Sequence, residues 1–216
     1  MKEFFRKIFT KENLKRFFST YIWLIVLLFV VDIVTKWVVV KHFGVELMDR
    51  GVRHEDKEVI TIIKNFCYIG GSINNGAAFS MLAGNRVLLL LISLVMSAGF
   101  IFFYIKEFKK LNTMYRIALA LMITGAVGNL IDRAFYWPST TGFDGVIDWI
   151  LFVFWGYEFA MFNIADSCLV IGIVLILVEM LIEGINEAKK KAKRGEYKYS
   201  PEELEKQKKD EANKGE

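Results

Sequence analysis

Four stretches of this chain, 21–40, 86–105, 115–137 and 161–182, are each about 20 residues long and predominantly apolar, the length a helix needs to cross the hydrocarbon core of a bilayer. Inside lipid a backbone satisfies its polar groups only as helix or closed barrel, so four such stretches predict a helical membrane domain. Composition points the same way: 54% of the 216 residues are apolar, Phe occurs 19 times and Pro twice, and mean hydropathy is +0.35, away from the profile of soluble domains. The basic residues 1–20 resemble the front of a secretory signal, but the apolar run behind them is too long and lacks a small-residue cleavage pattern, so a retained anchor is expected.

The net charge of +4 is segregated along the chain. Lys and Arg number six in 1–20, four in 106–116 and six in 189–198, whereas 138–160 contains none. Basic flanks stay inside, which predicts cytoplasmic termini and outer loops at 44–85 and 138–160. The expected organisation is a cytoplasmic leader (1–20), a membrane domain (21–185) and a charged cytoplasmic tail (186–216). Within the first outer loop, VITIIKNFCYIGGSINNGAAFSML is rich in Ile, Phe, Tyr and Thr and broken by glycines, which predicts a small β element at about 44–82 on the outer membrane surface. The tail reads as a solvated helix that frays; KKKAKR suits contact with anionic lipid, although a stop-transfer role is simpler.

Ionisable residues are expensive inside a bilayer, about 2.5–3.5 kcal/mol each at a helix centre. Asp32 and Lys36, four apart on the first span, share a face and suit an ion pair, with Lys36 close enough to the outer end to snorkel. Asn129, Asp132 and Arg133 form a stripe at the outer end of the third span, behind Gly125 and Gly128, which permit a close helix neighbour. A structural polar network accounts for part of this set. Asp148 and Asp166 lie at similar depth, one late in the outer loop and one a turn into the fourth span, and a return of the chain would bring them together. Two adjacent carboxylates cannot both ionise easily, so one keeps a proton and the other serves as base, as metal-free hydrolysis of an amide requires.

Other chemistries lack material. HEDKE at His54 has Glu58 where a zinc protease needs its second His, and His42 and His54 are the chain's two histidines. Ser72 in GGSIN has no base nearby, no phosphate loop occurs, and Cys67 and Cys168 form no metal spacing. No metal, cofactor or nucleic-acid partner is expected. A transporter or channel subunit would also carry intramembrane charge, but a transport path needs matching polar residues in the cytoplasmic halves of the spans, and none occur there.

Five blocks in order, DIVTK (32–36), NNGAAFS (74–80), GNLIDR (128–133), GVIDW (145–149) and FNIAD (162–166), resemble those of the bacterial lipoprotein signal peptidases, or signal peptidase II. The resemblance covers residues 22–183. It implies an all-α membrane protein of four transmembrane helices with a small extracytoplasmic β cradle. The implied activity is aspartic endoproteolysis of diacylglyceryl-modified prolipoproteins, cutting before the lipid-bearing cysteine, in the bacterial inner membrane. It places the catalytic carboxylates on Asp148 and Asp166 and a supporting set on Asn74, Asn129, Arg133, Asn163, Asp132, Asp32 and Lys36. Asn129 and Asn163 would orient the substrate backbone, Arg133 would hold a peptide carbonyl, and 76–79 would press over the substrate; Asp32 and Asp132 read as structural. Membrane lipid, inhibition by the cyclic peptide globomycin and action as a monomer complete the expectation. Trp149, Phe152, Phe154 and Trp155 suit an interfacial aromatic belt. Trp149 replaces the family's usual Phe, and the polar stretch at 48–58 and the long tail also depart from its pattern.

Overall fold

Local chemistry, more than hydropathy, sets where the apolar stretches begin and end. The computed structural model describes residues 10, 12, 17–49, 51–55, 58–76, 84–136, 144–194 and 205–206. In chain order these form α1 (Ile22–Phe43), a short α2 (Val45–Asp49), β1 (Ile60–Ile63), β2 (Cys67–Asn74), α3 (Arg86–Glu107), α4 (Thr113–Phe135), β3 (Val146–Phe154), β4 (Tyr157–Glu158) and α5 (Ile164–Lys193). Four of the helices, α1, α3, α4 and α5, are long and apolar enough to cross a membrane. α1 continues past the expected 40 to Phe43 and stops at Gly44, whose φ of 76° suits a residue without Cβ and whose N–H returns to the Val40 carbonyl. Asn85 and Asn112 cap α3 and α4, their side chains accepting from the N–H of Leu88 and Tyr115.

The chain divides into two compact units, 1–175 and 176–216. The second carries the rest of α5, where Leu177, Leu181 and Ile185 are exposed and Lys190, Lys191 and Lys193 form the last turn. Most of the expected leader and the tail beyond 194 lie outside the described residues, as do 77–80 of the NNGAAFS block.

Within the first unit, α4 is the enclosed helix. Its mean hydropathy of 1.5 is the lowest of the four spans, against 2.4–2.6 for the others, and every residue from Ala118 to Ala126 is buried. Polar residues on this span therefore face protein rather than lipid, the arrangement a bilayer tolerates. Glycine permits the packing: a Cβ on Gly128 would lie 2.8 Å from Asp32 Oδ2 and 2.9 Å from Ala165 Cβ, and one on Gly125 would collide with the Ala165 carbonyl. α1 and the first turns of α5 thus pass directly against α4.

The sheet departs from expectation in its origin. Its order is β1-β2-β3-β4, all antiparallel, so half of the strands come from 138–160 and not from 44–82. β3 reads VIDWILFVF, and Val146, Ile147 and Asp148 are all buried. A strand covered on both faces shows no alternation, which hid it in the sequence. The register between β2 and β3 slips between Ile69 and Ser72, at Gly70 and Gly71. There a Cβ would strike the Val52 carbonyl or come within 2.8 Å of Met48 Cγ. The irregularity lets α2 and residue 52 lie against the sheet, and it aims Ser72, Asn74 and Asp148 anew, as bulges beside active sites do. Val39, Phe43, Met48, Val52 and Ile147 form the core beneath, with Trp149 packed on it. Trp149 accordingly belongs to this core and not to an aromatic belt, whereas Trp155 is fully exposed.

Candidate active site

The seventeen residues between Asp148 and Asp166 close on themselves through a hairpin. β3 turns at Trp155 and Gly156, whose φ values of 50° and 82° give the doubly left-handed turn that matches strand twist. The chain returns through β4, and Phe162 bridges to Ile150. Its carbonyl accepts from both Trp149 N and Ile150 N, and its own N–H donates to the Ile150 carbonyl. Asn163 is thereby set beside Asp148.

Asn163 also begins α5. Its side-chain Oδ1 accepts from Asp166 N at 2.8 Å, while Asp166 Oδ2 accepts from Asn163 N at 3.1 Å. This reciprocal pairing of N-cap and third helical residue is a capping box. The N-x-x-D spacing inside FNIAD was its readable signal, and it explains why the helix starts at Ile164, three residues after hydropathy placed it. It also puts a carboxylate at the positive end of a helix.

Among the described residues each carboxylate oxygen has one donor. Asn163 Nδ2 donates to Asp148 Oδ1 at 2.7 Å and Asn74 Nδ2 to Asp148 Oδ2 at 3.0 Å. Asn129 Nδ2 donates to Asp166 Oδ1 at 2.7 Å. Asn74 is oriented by a two-residue turn in which its Oδ1 accepts from Gly76 N. Asp148 is 2% exposed. Burial, reinforced by the facing charge of Asp166, pushes its carboxyl up to about 8.

Behind the pair lies a buried ionic cluster. Lys36 Nζ is 2.8 Å from Asp32 Oδ2 and 2.8 Å from Asp132 Oδ2, and it donates to Asn129 Oδ1 at 3.2 Å. The expected Asp32–Lys36 pair is present, but at 1% exposure Lys36 does not snorkel. Asp32 Oδ1 accepts from Ala165 N, and Asp132 Oδ2 from Ile147 N, so the cluster ties the start of α5 and of β3 to α1 and α4.

Both carboxylates line one cavity of about 680 Å³. Its apolar wall includes Leu89, Ile92, Met96 and Phe100 of α3 and Leu169 and Val170 of α5. Arg133 lines it too, donating to Ser93 Oγ at 3.2 Å and to the Gly76 carbonyl at 3.1 Å. Glu158, also on the cavity wall, accepts from Arg53 at 3.0 Å and contacts His54 Nδ1, which gives part of the polar stretch at 48–58 a place in the fold. Sequence reasoning missed three participants. Arg86 donates to Asp144 at 2.5 Å and to the terminal α4 carbonyls of Arg133 and Tyr136; Ser93 is hidden in an apolar span; Glu158 sits in an aromatic run. Only the charge of Arg86 at a helix start was a visible signal.

Comparison with known proteins agrees with this architecture. Residues 24–182 match the family described as Signal peptidase (SPase) II. The chain is 35% identical over 153 residues, 71% of its length, to the lipoprotein signal peptidase of Bacillus pumilus (strain SAFR-032), of which 86% is covered. Two solved structures are similar, both described as a bacterial membrane enzyme structure by the in meso method. The one at 2.3 Å resolution has a TM-score of 0.62 and 31% identity, covering 77% of this chain and 90% of that one. The one at 1.9 Å has a TM-score of 0.58 and 32% identity, covering 75% and 92%. A family match over most of the chain, joined to four spans, makes this multi-pass membrane protein a protease of the signal peptidase II family, the lipoprotein signal peptidases.

Proposed function

We propose that the protein removes the signal peptide from diacylglyceryl-modified prolipoproteins by cutting the bond before the lipid-bearing cysteine, with Asp148 and Asp166 acting on water. The observation that carries this reading is that Asn163 bonds both carboxylates at the wall of one cavity; burial and the facing charge of Asp166 raise the Asp148 carboxyl to about 8. Near neutrality Asp148 is then the acid and Asp166 the base.

Asp166 takes a proton from a water molecule, whose oxygen attacks the scissile carbonyl carbon as Asp148 gives its proton to the carbonyl oxygen. A neutral tetrahedral diol results. On collapse the diol returns a proton to Asp148, the proton on Asp166 passes to the departing nitrogen, and the C–N bond breaks. Both carboxyl groups are restored to their starting states. Asn74, Asn129 and Asn163 hold the carboxylates at fixed angles, and Arg133 presents its guanidinium to the peptide in the cavity. The apolar wall from α3 and α5 suits acyl chains and the signal segment. The basic flanks support a topology with both termini in the cytoplasm and the site at the outer face. All these groups come from one chain, which acts as a monomer and is blocked by globomycin.

The test is a mobility-shift assay on a lipidated precursor in detergent. Asp148→Asn and Asp166→Asn are expected to lower the rate at least about 100-fold, and Asp144→Asn, paired with Arg86 and absent from the cavity wall, to keep most of it. Chelators should change nothing. Equal loss in all three variants would remove the assignment.

A further inference from the structure

Resting on that acid–base reading, we infer that Lys36 is a positioning residue: it fixes the direction of the amide network that holds Asp166. An ammonium group has three donors and no acceptor. Here it pairs with Asp32 Oδ2 and Asp132 Oδ2 and donates to Asn129 Oδ1. Asn129 must therefore turn its oxygen toward α1, which leaves its NH2 to face Asp166 Oδ1 at 2.7 Å. The reverse orientation would set an NH2 against an ammonium and an oxygen against a carboxylate.

Asn163 agrees with this direction, since its Nδ2 donates to the same Asn129 oxygen at 3.1 Å as well as to Asp148. The ammonium has a second effect through Asp132, three residues beyond Asn129 on α4. Without Lys36, the buried Asp132 carboxylate on the same helix face loses its countercharge and keeps the Ile147 N–H as a donor. It would then compete with Asp166 for the Asn129 NH2. Lys36 meets that acceptor and so keeps the NH2 on Asp166. Lys36 is absent from the cavity wall, and Asn129 is the side chain that joins it to Asp166.

The experiment measures kcat, KM and melting temperature for Lys36→Met and Asn129→Asp on a diacylglyceryl-modified precursor peptide. Asp148→Asn and Asp166→Asn are run beside them. Asn129→Asp keeps an acceptor for Lys36 and Asn163 and replaces the NH2 that faces Asp166 with a carboxyl oxygen. The expected result is a folded Lys36→Met enzyme with unchanged KM and kcat lowered about 100-fold. Asn129→Asp should melt within a few degrees of the native protein and lose kcat to a similar extent. Native kcat in either folded variant overturns the inference, and if Lys36→Met does not fold, Asn129→Asp decides alone. Cleavage by the Asp148→Asn and Asp166→Asn enzymes would instead sink the acid–base reading, whatever Lys36 does.

Discussion

In the proposed mechanism Asp148 couples rate and stability to pH in a single side chain. An unfolded carboxyl titrates near 3.9, whereas burial and Asp166 push this one up to about 8. Between about pH 4 and pH 8 the folded protein thus binds a proton that the unfolded chain releases. Stability falls as pH rises through this window and levels off above about 8. Asp148→Asn cannot ionise, so its melting temperature should exceed that of the native protein by a margin that is small at pH 5 and grows toward pH 8. The native kcat should fall about tenfold per unit above pH 8 as the acid is lost, and a rate constant up to pH 10 would contradict the role given to Asp148. Trp149, its neighbour, makes a separate case. Its Nε1 is buried with no hydrogen-bond partner among the described residues, a cost of about 1–3 kcal/mol. A Phe there removes that cost and leaves a cavity of about 40 Å³, worth about 1 kcal/mol at about 24 cal/mol per Å³. The first effect wins or balances, so Trp149→Phe should keep or raise the melting temperature with activity intact.

At the scale of elements, the α1–α4–α5 contact has no slack. Gly128→Ala would drive a methyl against Asp32 and Ala165, and overpacking of this kind costs about 1–3 kcal/mol. Since Asp32 pairs with Lys36, cleavage should fall along with the melting temperature. Gly99 on α3 has nothing within 4 Å, and Gly99→Ala should be neutral or stabilising by up to about 1 kcal/mol; thermal unfolding of both in detergent checks the contrast. The spans were legible because lipid demands length and apolarity. Their ends were less so, since Gly44 and Asn163 act through backbone geometry that hydropathy does not register. The first hairpin was legible from its β-branched and aromatic residues. The second was not, because β3 is buried on both faces where it meets the site.

For the molecule as a whole, the carboxylates and their amides were readable only as separate blocks on a predicted topology. What the sequence withheld was the closure that joins them: the Trp155–Gly156 turn, the Ile150–Phe162 bridge and the direction of each amide. Charges such as Arg53, Arg86 and Glu158 had no periodic pattern to mark them. One consequence follows from the cavity wall shared by α3 and α5, two helices whose other faces, at Val95 and Ile171 for example, are exposed. A precursor anchored in the same bilayer reaches such a wall by sliding sideways. Turnover should therefore scale with the precursor's mole fraction in micelle or vesicle, and diluting the membrane phase with inert detergent should slow it at constant bulk concentration. The enzyme searches a plane, and crowding within that plane sets its pace.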